Sequence, residues 1–350
     1  MIRKDEDLAF MLRYENVAWY ENGAVKILDR RIYPTKTEFV TCKTHQEVAQ
    51  AIADMVTQSA GPYTAAGMGM ALAAHECKDM KEQDMLEYLE KAAYTLSHAR
   101  PTTTNRMVLV TDGCLIAAKS AIAVGSKVDK AIFNRTIDSL NRRYSTIEIV
   151  GEHLVNMFPD KGNIMTQCFG ETIVGMMLRV AKKRNKDIKL FIPETRPYFQ
   201  GARLTASVAY GQGFDTTVIT DNMPAFTMAT KKIDLFTSAA DVICMDGHVV
   251  NKIGTYQLAI VAKYHGVPYF VTGIPDQAHQ TISSVTIEER DPDLVLEARG
   301  VKNTLEGVKG YYPSFDITPP HLVSGVVTDK GIFVPYDLHR YFDSETKEYY

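Results

Sequence analysis

Between residues 16 and 43, apolar and polar residues alternate on either side of "ENG" (Glu21–Gly23), a good turn signal. Alternation of period two turns one face of an extended strand inward, so short antiparallel strands are predicted here. From about 45 to 125 the period lengthens to that of helices. "THQEVAQAIADMV" opens with Thr44 and Glu47 at capping-box spacing, then places apolar residues about one helical turn apart. "DMLEYLEKAAYTL" repeats this pattern, and its charges read as a solvated face. "GMGMALAAH" has two glycines of a dinucleotide fingerprint. It lacks the third and has no clear strand before it, so small-residue helix packing is expected instead.

After about residue 145 short β-rich runs alternate with helical stretches. "NIMTQC", "IKLFIP", "TTVIT", "IDLFTSA" and "VPYFVT" have strand length and strand composition. "GETIVGMMLRVAKKRN", "QGARLTASVAYGQG", "AFTMATKK" and "NKIGTYQLAIVAKYHG" lie between them. This alternation predicts βαβ units and a mostly parallel sheet, hence an α/β fold. The boundary gives two expected domains, 1–145 and 146–350. The tail, "HRYFDSETKEYY", is polar and is expected to be only partly ordered.

Open parallel sheets bind ligands beyond the carboxyl ends of their strands. Read that way, the first strand ends at Cys168, the second enters "PETRPYFQG", the third reaches Asp221 and Asn222, and the fourth leaves Asp241 just past its end. Cys168 would sit at or just before a helix amino terminus, where the dipole lowers a thiol pKa. Asp241, packed among "TSAADVIC", is expected to have a raised pKa and to act as a general acid or base. Asn251 and Lys252 are expected at another helix start, and Gln200 at a third, positions suited to anions and hydroxyls. Arg196 and Arg203 read individually as surface arginines. A thiol, a carboxyl and several anion-binding groups suit proton transfer on a small phosphorylated substrate.

Composition narrows the class further. The 350 residues are 45% hydrophobic and 23% charged, with a net charge of −3, which offers no reason to expect nucleic-acid or anionic-membrane binding. The first residues are charged where a signal peptide would need an apolar run, and no run is long enough to span a bilayer, so a cytoplasmic protein is expected. Five cysteines form no close pair, and nine histidines show no metal-ligand spacing. No metal and no cofactor are expected. A P-loop and a nucleophile elbow are both lacking.

"ETRPYFQGARLTA", "NKIGTY", "ARPTTTN" and "FDITPP" together resemble the aldose-1-phosphate isomerase family. The likeness runs from "VAWYENGAVKILDRR" through "VTIEERDP" to "GVVTDKGIFVP". That family includes methylthioribose-1-phosphate and ribose-1,5-bisphosphate isomerases. The regulatory subunits of the exchange factor for translation initiation factor two share its fold. The resemblance implies a mainly helical amino-terminal domain with a small β element and a Rossmann-like parallel-sheet carboxyl-terminal domain, usually as a homodimer. It implies an isomerase that turns a furanose 1-phosphate into a ketose 1-phosphate, with Cys168 and Asp241 as the catalytic pair. Arg100, Gln200, Asn251 and Lys252 take the family's substrate-binding positions, and Ser59, Ala60 and Gly61 stand on its substrate-contacting turn. Three departures stand out. "SAGP" (59–62) replaces "RGAP", "QCF" (167–169) replaces "HCN", and "AADV" (239–242) replaces "GADR". They imply a substrate other than methylthioribose 1-phosphate. 5-Deoxyribose 1-phosphate is expected, its methyl placed near Phe169 and Tyr63, with methylthioribose 1-phosphate the alternative. Retention of Cys168 and Asp241 argues against a regulatory subunit, and the absent glycine fingerprint against a nucleotide-binding oxidoreductase.

Overall fold

The computed structural model describes residues 3–100 and 104–343. Part of "ARPTTTN" (101–103) and most of the polar tail (344–350) therefore lie outside the described residues. The chain divides into two compact units, one running to Thr146 and the other beginning at Ile147.

In the first unit a 3-10 turn (Phe10–Leu12) leads into a single helical turn, α1 (Tyr14–Val17), followed by β1 (Ala18–Glu21), β2 (Ala24–Leu28) and β3 (Phe39–Cys42) in an antiparallel sheet. Asn22 and Gly23 join β1 to β2 with φ of 52° and 74°. Two successive left-handed residues make the tight turn whose twist matches paired strands, which is why Asn-Gly stands there. The helices are α2 (His45–Ala53), α3 (Gly61–Glu76), α4 (Glu82–Ser97), α5 (Thr104–Ala123) and α6 (Val128–Val155), the last of which carries the chain into the second unit. Thr44 caps α2 by accepting from the Glu47 N–H at 3.2 Å. The Glu47 carboxylate in turn accepts from the N–H of Lys43, one residue outside the expected partner. Helix α3 is buried from Gly61 to Ala74. A Cβ on Gly67 would lie 2.7 Å from Thr136, and one on Gly69 would lie 2.9 Å from Leu96. The "GMGM" glycines thus serve close helix contact, as expected from the missing strand. Helix α6 begins in a stretch, after about residue 125, for which no element is expected from the sequence pattern.

The second unit contains β4 (Lys161–Thr166), α7 (Glu171–Lys183), β5 (Asp187–Pro193), a π-helical turn (Gly201–Thr205) leading into α8 (Ala206–Gly211), β6 (Asp215–Ile219), α9 (Pro224–Lys231) and β7 (Ile233–Ala239). It continues through β8 (Val242–Ile243), β9 (Val249–Lys252), α10 (Thr255–Tyr264), β10 (Tyr269–Thr272), the short pair β11 (Glu297–Ala298) and β12 (Val301–Lys302), β13 (Phe315–Thr318), β14 (Gly325–Thr328) and β15 (Gly331–Phe333). Seven strands form the main sheet in the order β15-β14-β10-β7-β4-β5-β6. All neighbours are parallel except the edge strand β15. Central strands of such a sheet are covered on both faces, and Ile164 and Met165 on β4 are fully buried although they point to opposite sides. One face packs Met165, Phe236, Val271 and Val326 against Met228 of α9 and Leu258, Ala259 and Ala262 of α10. The α/β class and the five expected main-sheet strands are found. A second antiparallel sheet, β13-β9-β8, was not foreseen. "VVNK" is strand β9 and not the expected helix start, because four residues are too few to reveal a period.

Candidate active site

Strand β4 is the first of the main sheet, and its two neighbours are β5 and β7. From β4 the chain builds outward through β5 to β6; from β7 it builds the other way, through β10 to β14. The gap between β4 and β7 is therefore the topological switch point, where the crossovers diverge and leave a crevice beyond the carboxyl ends. Thr166 pairs with Thr237 at those ends. Cys168 follows β4 by two residues, and Asp241 follows β7 by two.

The turn at Cys168 is tightly held. Cys168 has a φ of 56°, a left-handed conformation that side-chain-bearing residues seldom adopt. Its carbonyl accepts a bond from the hydroxyl of Thr205, which ties the turn to the π-helical segment. That segment lies hard against β5, since a Cβ on Gly201 would fall 1.9 Å from the Pro193 carbonyl oxygen. Cys42, Cys77, Cys114 and Cys244 are buried, whereas Cys168 keeps intermediate exposure. The expectation of a lowered thiol pKa is not met. Burial pushes the Cys168 thiol up to about 12, Asp241 and Asp221 push in the same direction, and Lys252 with a backbone bond at Phe169 opposes them. Helix α7 starts only at Glu171, so its first turn is too far along the chain to offset desolvation.

Asp241 is exposed, so the packing expected from its small neighbours is absent. Its backbone N–H donates to Val250 at 2.9 Å, which fixes the loop against β9. Asn251 and Lys252 end β9 rather than begin a helix; α10 starts at Thr255. Both are 5% exposed. The Asn251 amide donates to the Thr255 hydroxyl at 3.0 Å. The Lys252 ammonium lies 4.3 Å from the centre of the Phe315 ring and acts electrostatically on Cys168. Asp316 accepts the N–H of Gly254 at 2.7 Å and of Tyr256 at 3.1 Å, capping α10. Burial nevertheless raises the Asp316 carboxyl to about 6, against those bonds and Lys252.

The loop after β5 has a different role from the one expected of its charges. Asp221 does not face outward from the rim. Its carboxylate accepts the N–H groups of Thr195 at 2.8 Å and Arg196 at 2.7 Å. Arg196 donates to the carbonyls of Val295 and Glu297, and Arg203, 9% exposed, donates twice to the Tyr198 carbonyl. Neither is a free surface arginine; each braces irregular backbone. Gln200 is buried, and its Oε1 has no hydrogen-bond partner among the described residues. Gln167, next to Cys168, donates to the Ile253 carbonyl at 3.1 Å and likewise leaves its Oε1 unpartnered. A buried acceptor without a donor is costly, and two beside one turn suit a hydroxyl-bearing ligand.

The structure thus brings Cys168, Asp241 and Lys252 together, with Gln200 on the segment bonded to the Cys168 turn and Asn251 beside Lys252. Ser59, Ala60, Gly61 and Arg100 belong to the first unit. Ser59 is exposed with a φ of 58°, and the Ala60 carbonyl accepts from Arg143 at 3.3 Å. A Cβ on Gly61 would meet the Thr57 hydroxyl at 1.9 Å. The Arg100 carbonyl accepts from the Thr104 hydroxyl at 3.1 Å. Phe169 and Tyr63 are both buried, in the second and first unit respectively.

Four residues on β13 and on the backbone-paired segments before it carried no assigned role in the sequence: Arg290, Tyr312, Phe315 and Asp316. "VTIEERDP" and "FDITPP" had supplied three of them as family markers, but their strand register beside β9 is set by pairing across more than sixty residues of chain. Among the described residues, no three His, Cys, Asp or Glu side chains gather as a metal ion requires, and no helix is long and apolar enough to cross a membrane.

A mainly parallel α/β sheet with a thiol and a carboxylate at its switch point defines the class, and residues 58–335 match the family described as the initiation factor 2 subunit family. The chain belongs to that family. It is 34% identical to methylthioribose-1-phosphate isomerase of Chloroflexus aurantiacus over 331 residues, covering 91% of this chain and 94% of the relative. Among solved structures it resembles 5-methylthioribose 1-phosphate isomerase from Pyrococcus horikoshii, with 29% identity and a TM-score of 0.81 over 95% of this chain and 98% of the other. It is equally close in shape to the delta subunit of translation initiation factor eIF-2B from A. fulgidus. There identity is 30% and the TM-score 0.81, over 91% of this chain and 96% of that one.

Proposed function

We propose that this protein is an aldose–ketose isomerase that opens a furanose 1-phosphate and moves its carbonyl from C1 to C2, with methylthioribose 1-phosphate the favoured substrate. The observation that carries the reading is the placement of Cys168 and Asp241 two residues beyond adjacent parallel strands at the switch point. A non-catalytic subunit of the same fold has no need of a thiol and a carboxylate there. The strand order also supports a Rossmann-like catalytic domain over the second unit, with the helical unit as a separate domain.

The anomeric oxygen of a sugar 1-phosphate carries no proton, so the ring does not open unaided. In this reading Asp241 protonates the ring oxygen. Cys168 then serves the migration, either carrying a proton from C2 to C1 through an enediol or stabilising charge as hydride moves. Solvent deuterium at C1 of the ketose marks the first route. Lys252, Asn251 and Gln200 hold oxygens of the substrate, so that binding fixes the reacting carbons. Ser59, Ala60, Gly61 and Arg100 enter the proposal through the family resemblance alone. A homodimer in the cytoplasm is part of the same reading.

5-Deoxyribose 1-phosphate is the second reading, and buried Phe169 beside Cys168 favours it, since an apolar ring suits a bare methyl better than the asparagine it replaces. The names of the relatives weigh the other way. The test is isomerisation of methylthioribose 1-phosphate, 5-deoxyribose 1-phosphate and ribose 1,5-bisphosphate side by side, without metal or nucleotide. Cys168→Ala and Asp241→Asn are each expected to abolish turnover with the fold intact. Near-normal activity in either folded variant would remove that residue from the mechanism.

A further inference from the structure

Strand β9 carries Asn251 and Lys252 between two bonds to the rim of the main sheet. The Val250 carbonyl accepts from the Asp241 N–H at 2.9 Å, and the Ile253 carbonyl accepts from the Gln167 side-chain amide at 3.1 Å. Gln167 thus joins the end of β4 to the turn after Lys252, and it directly precedes Cys168 in the chain. It is 3% exposed. Room for its amide comes from Gly254, whose φ is 99° and on which a Cβ would lie 3.1 Å from the Gln167 Nε2.

The bond to Ile253 fixes which way the amide faces. Turned over, it would set its own oxygen against a carbonyl oxygen, so Nε2 faces Ile253 and Oε1 faces away. That Oε1 is enclosed, and no donor among the described residues reaches it. A glutamine whose nitrogen is committed offers only an acceptor. It repels a phosphate oxygen and suits a hydroxyl, whereas the Lys252 ammonium suits the phosphate. Gln200, on the segment bonded to the Cys168 turn, presents a second enclosed oxygen of the same kind. The family's "HCN" has histidine where Gln167 stands, so this amide is a feature of this chain.

We propose that Gln167 is a specificity-determining residue, its Oε1 accepting a hydrogen bond from a ring hydroxyl of the substrate. The proposal rests on the sugar 1-phosphate reading. The site then divides into a hydroxyl-reading side at Gln167 and a phosphate-holding side at Lys252. An enclosed acceptor left without a donor penalises any ligand that lacks the hydroxyl, which is how such a group discriminates.

The test is calorimetric binding of ribose 1-phosphate, 2-deoxyribose 1-phosphate, 3-deoxyribose 1-phosphate and inorganic phosphate to the full-length chain. Asp241→Asn serves as the parent, since it is expected to bind without turnover, and the variant adds Gln167→Met. Methionine keeps the length of the side chain and removes the acceptor. The parent is expected to bind ribose 1-phosphate about tenfold more tightly than one of the two deoxy sugars. The variant is expected to lose that preference and to keep the parent's affinity for inorganic phosphate. Comparing ligands within one protein cancels any general loosening caused by loss of the Ile253 bond. Equal affinity for the three sugars in the parent overturns the proposal, and that outcome needs no variant to fold. A preference that survives in the variant overturns it as well. If the parent binds no sugar 1-phosphate, the isomerase reading falls and this proposal with it; if it binds all three alike, only this proposal falls.

Discussion

The ammonium of Lys252 sits 4.3 Å from the centre of the Phe315 ring, and the two residues are direct partners across the antiparallel β9–β13 ladder. A buried lysine is costly unless its charge is met, and the ring face and Asp316 are among the groups that meet it. Replacing it with methionine keeps the bulk and removes the charge. Lys252→Met should raise the Cys168 pKa further, slow its alkylation at fixed pH, and reduce kcat about a hundredfold. An unchanged thiol profile in this variant would show that the cation does not act on the sulfur.

The π-helical turn is the support on which the Cys168 loop rests. Any side chain on Gly201 would collide with the Pro193 carbonyl, so Gly201→Ala must displace either the end of β5 or the Thr205 bond to Cys168. A loss of about 3 kcal/mol in denaturant unfolding is expected, with activity falling more than stability explains. Wild-type stability would mean that the segment yields freely.

Asp316 gives a signed pH dependence. Its folded carboxyl is raised to about 6 from 3.8, so the folded state holds its proton more tightly than the unfolded chain. This contribution is complete below about pH 4 and is lost as pH rises through about 6. Asparagine does not titrate. The melting temperature of Asp316→Asn minus that of wild type should therefore increase between pH 4 and pH 7. A flat difference would place the carboxyl in its ordinary range.

Phe169 separates the two substrate readings. Phe169→Asn restores the residue of the methylthioribose 1-phosphate enzymes beside Cys168. If the phenylalanine favours a bare C5 methyl, the variant should shift the ratio of kcat/KM toward methylthioribose 1-phosphate by about tenfold. No shift would leave Phe169 as packing only.

Much of the site can be read in the sequence because its markers are local. "IDLFTSA" is strand β7 to the residue, and Asp241 falls just beyond it. Gly67 and Gly69 are helix-packing residues because no strand precedes them, and Cys168 is preceded by an apolar run of strand length. What the sequence misplaces is equally local in origin. Asn251 and Lys252 lie on a strand and not at the expected helix start, because the four residues of β9 are too few to show a period of two. Arg196 and Arg203 looked exposed because nothing in their neighbours reveals the carbonyls that accept from them.

Period and turn chemistry, which act between residues a few positions apart, thus determined the α/β class, the order of most elements and the strand ends carrying Cys168 and Asp241. Only the tertiary structure decided that β4 lies beside β7 and that Lys252 faces Phe315. It also reversed the expected direction of the Cys168 pKa. The physical reason is that strand pairing and desolvation are sums over groups distant in the chain, and no local pattern encodes which of them will meet.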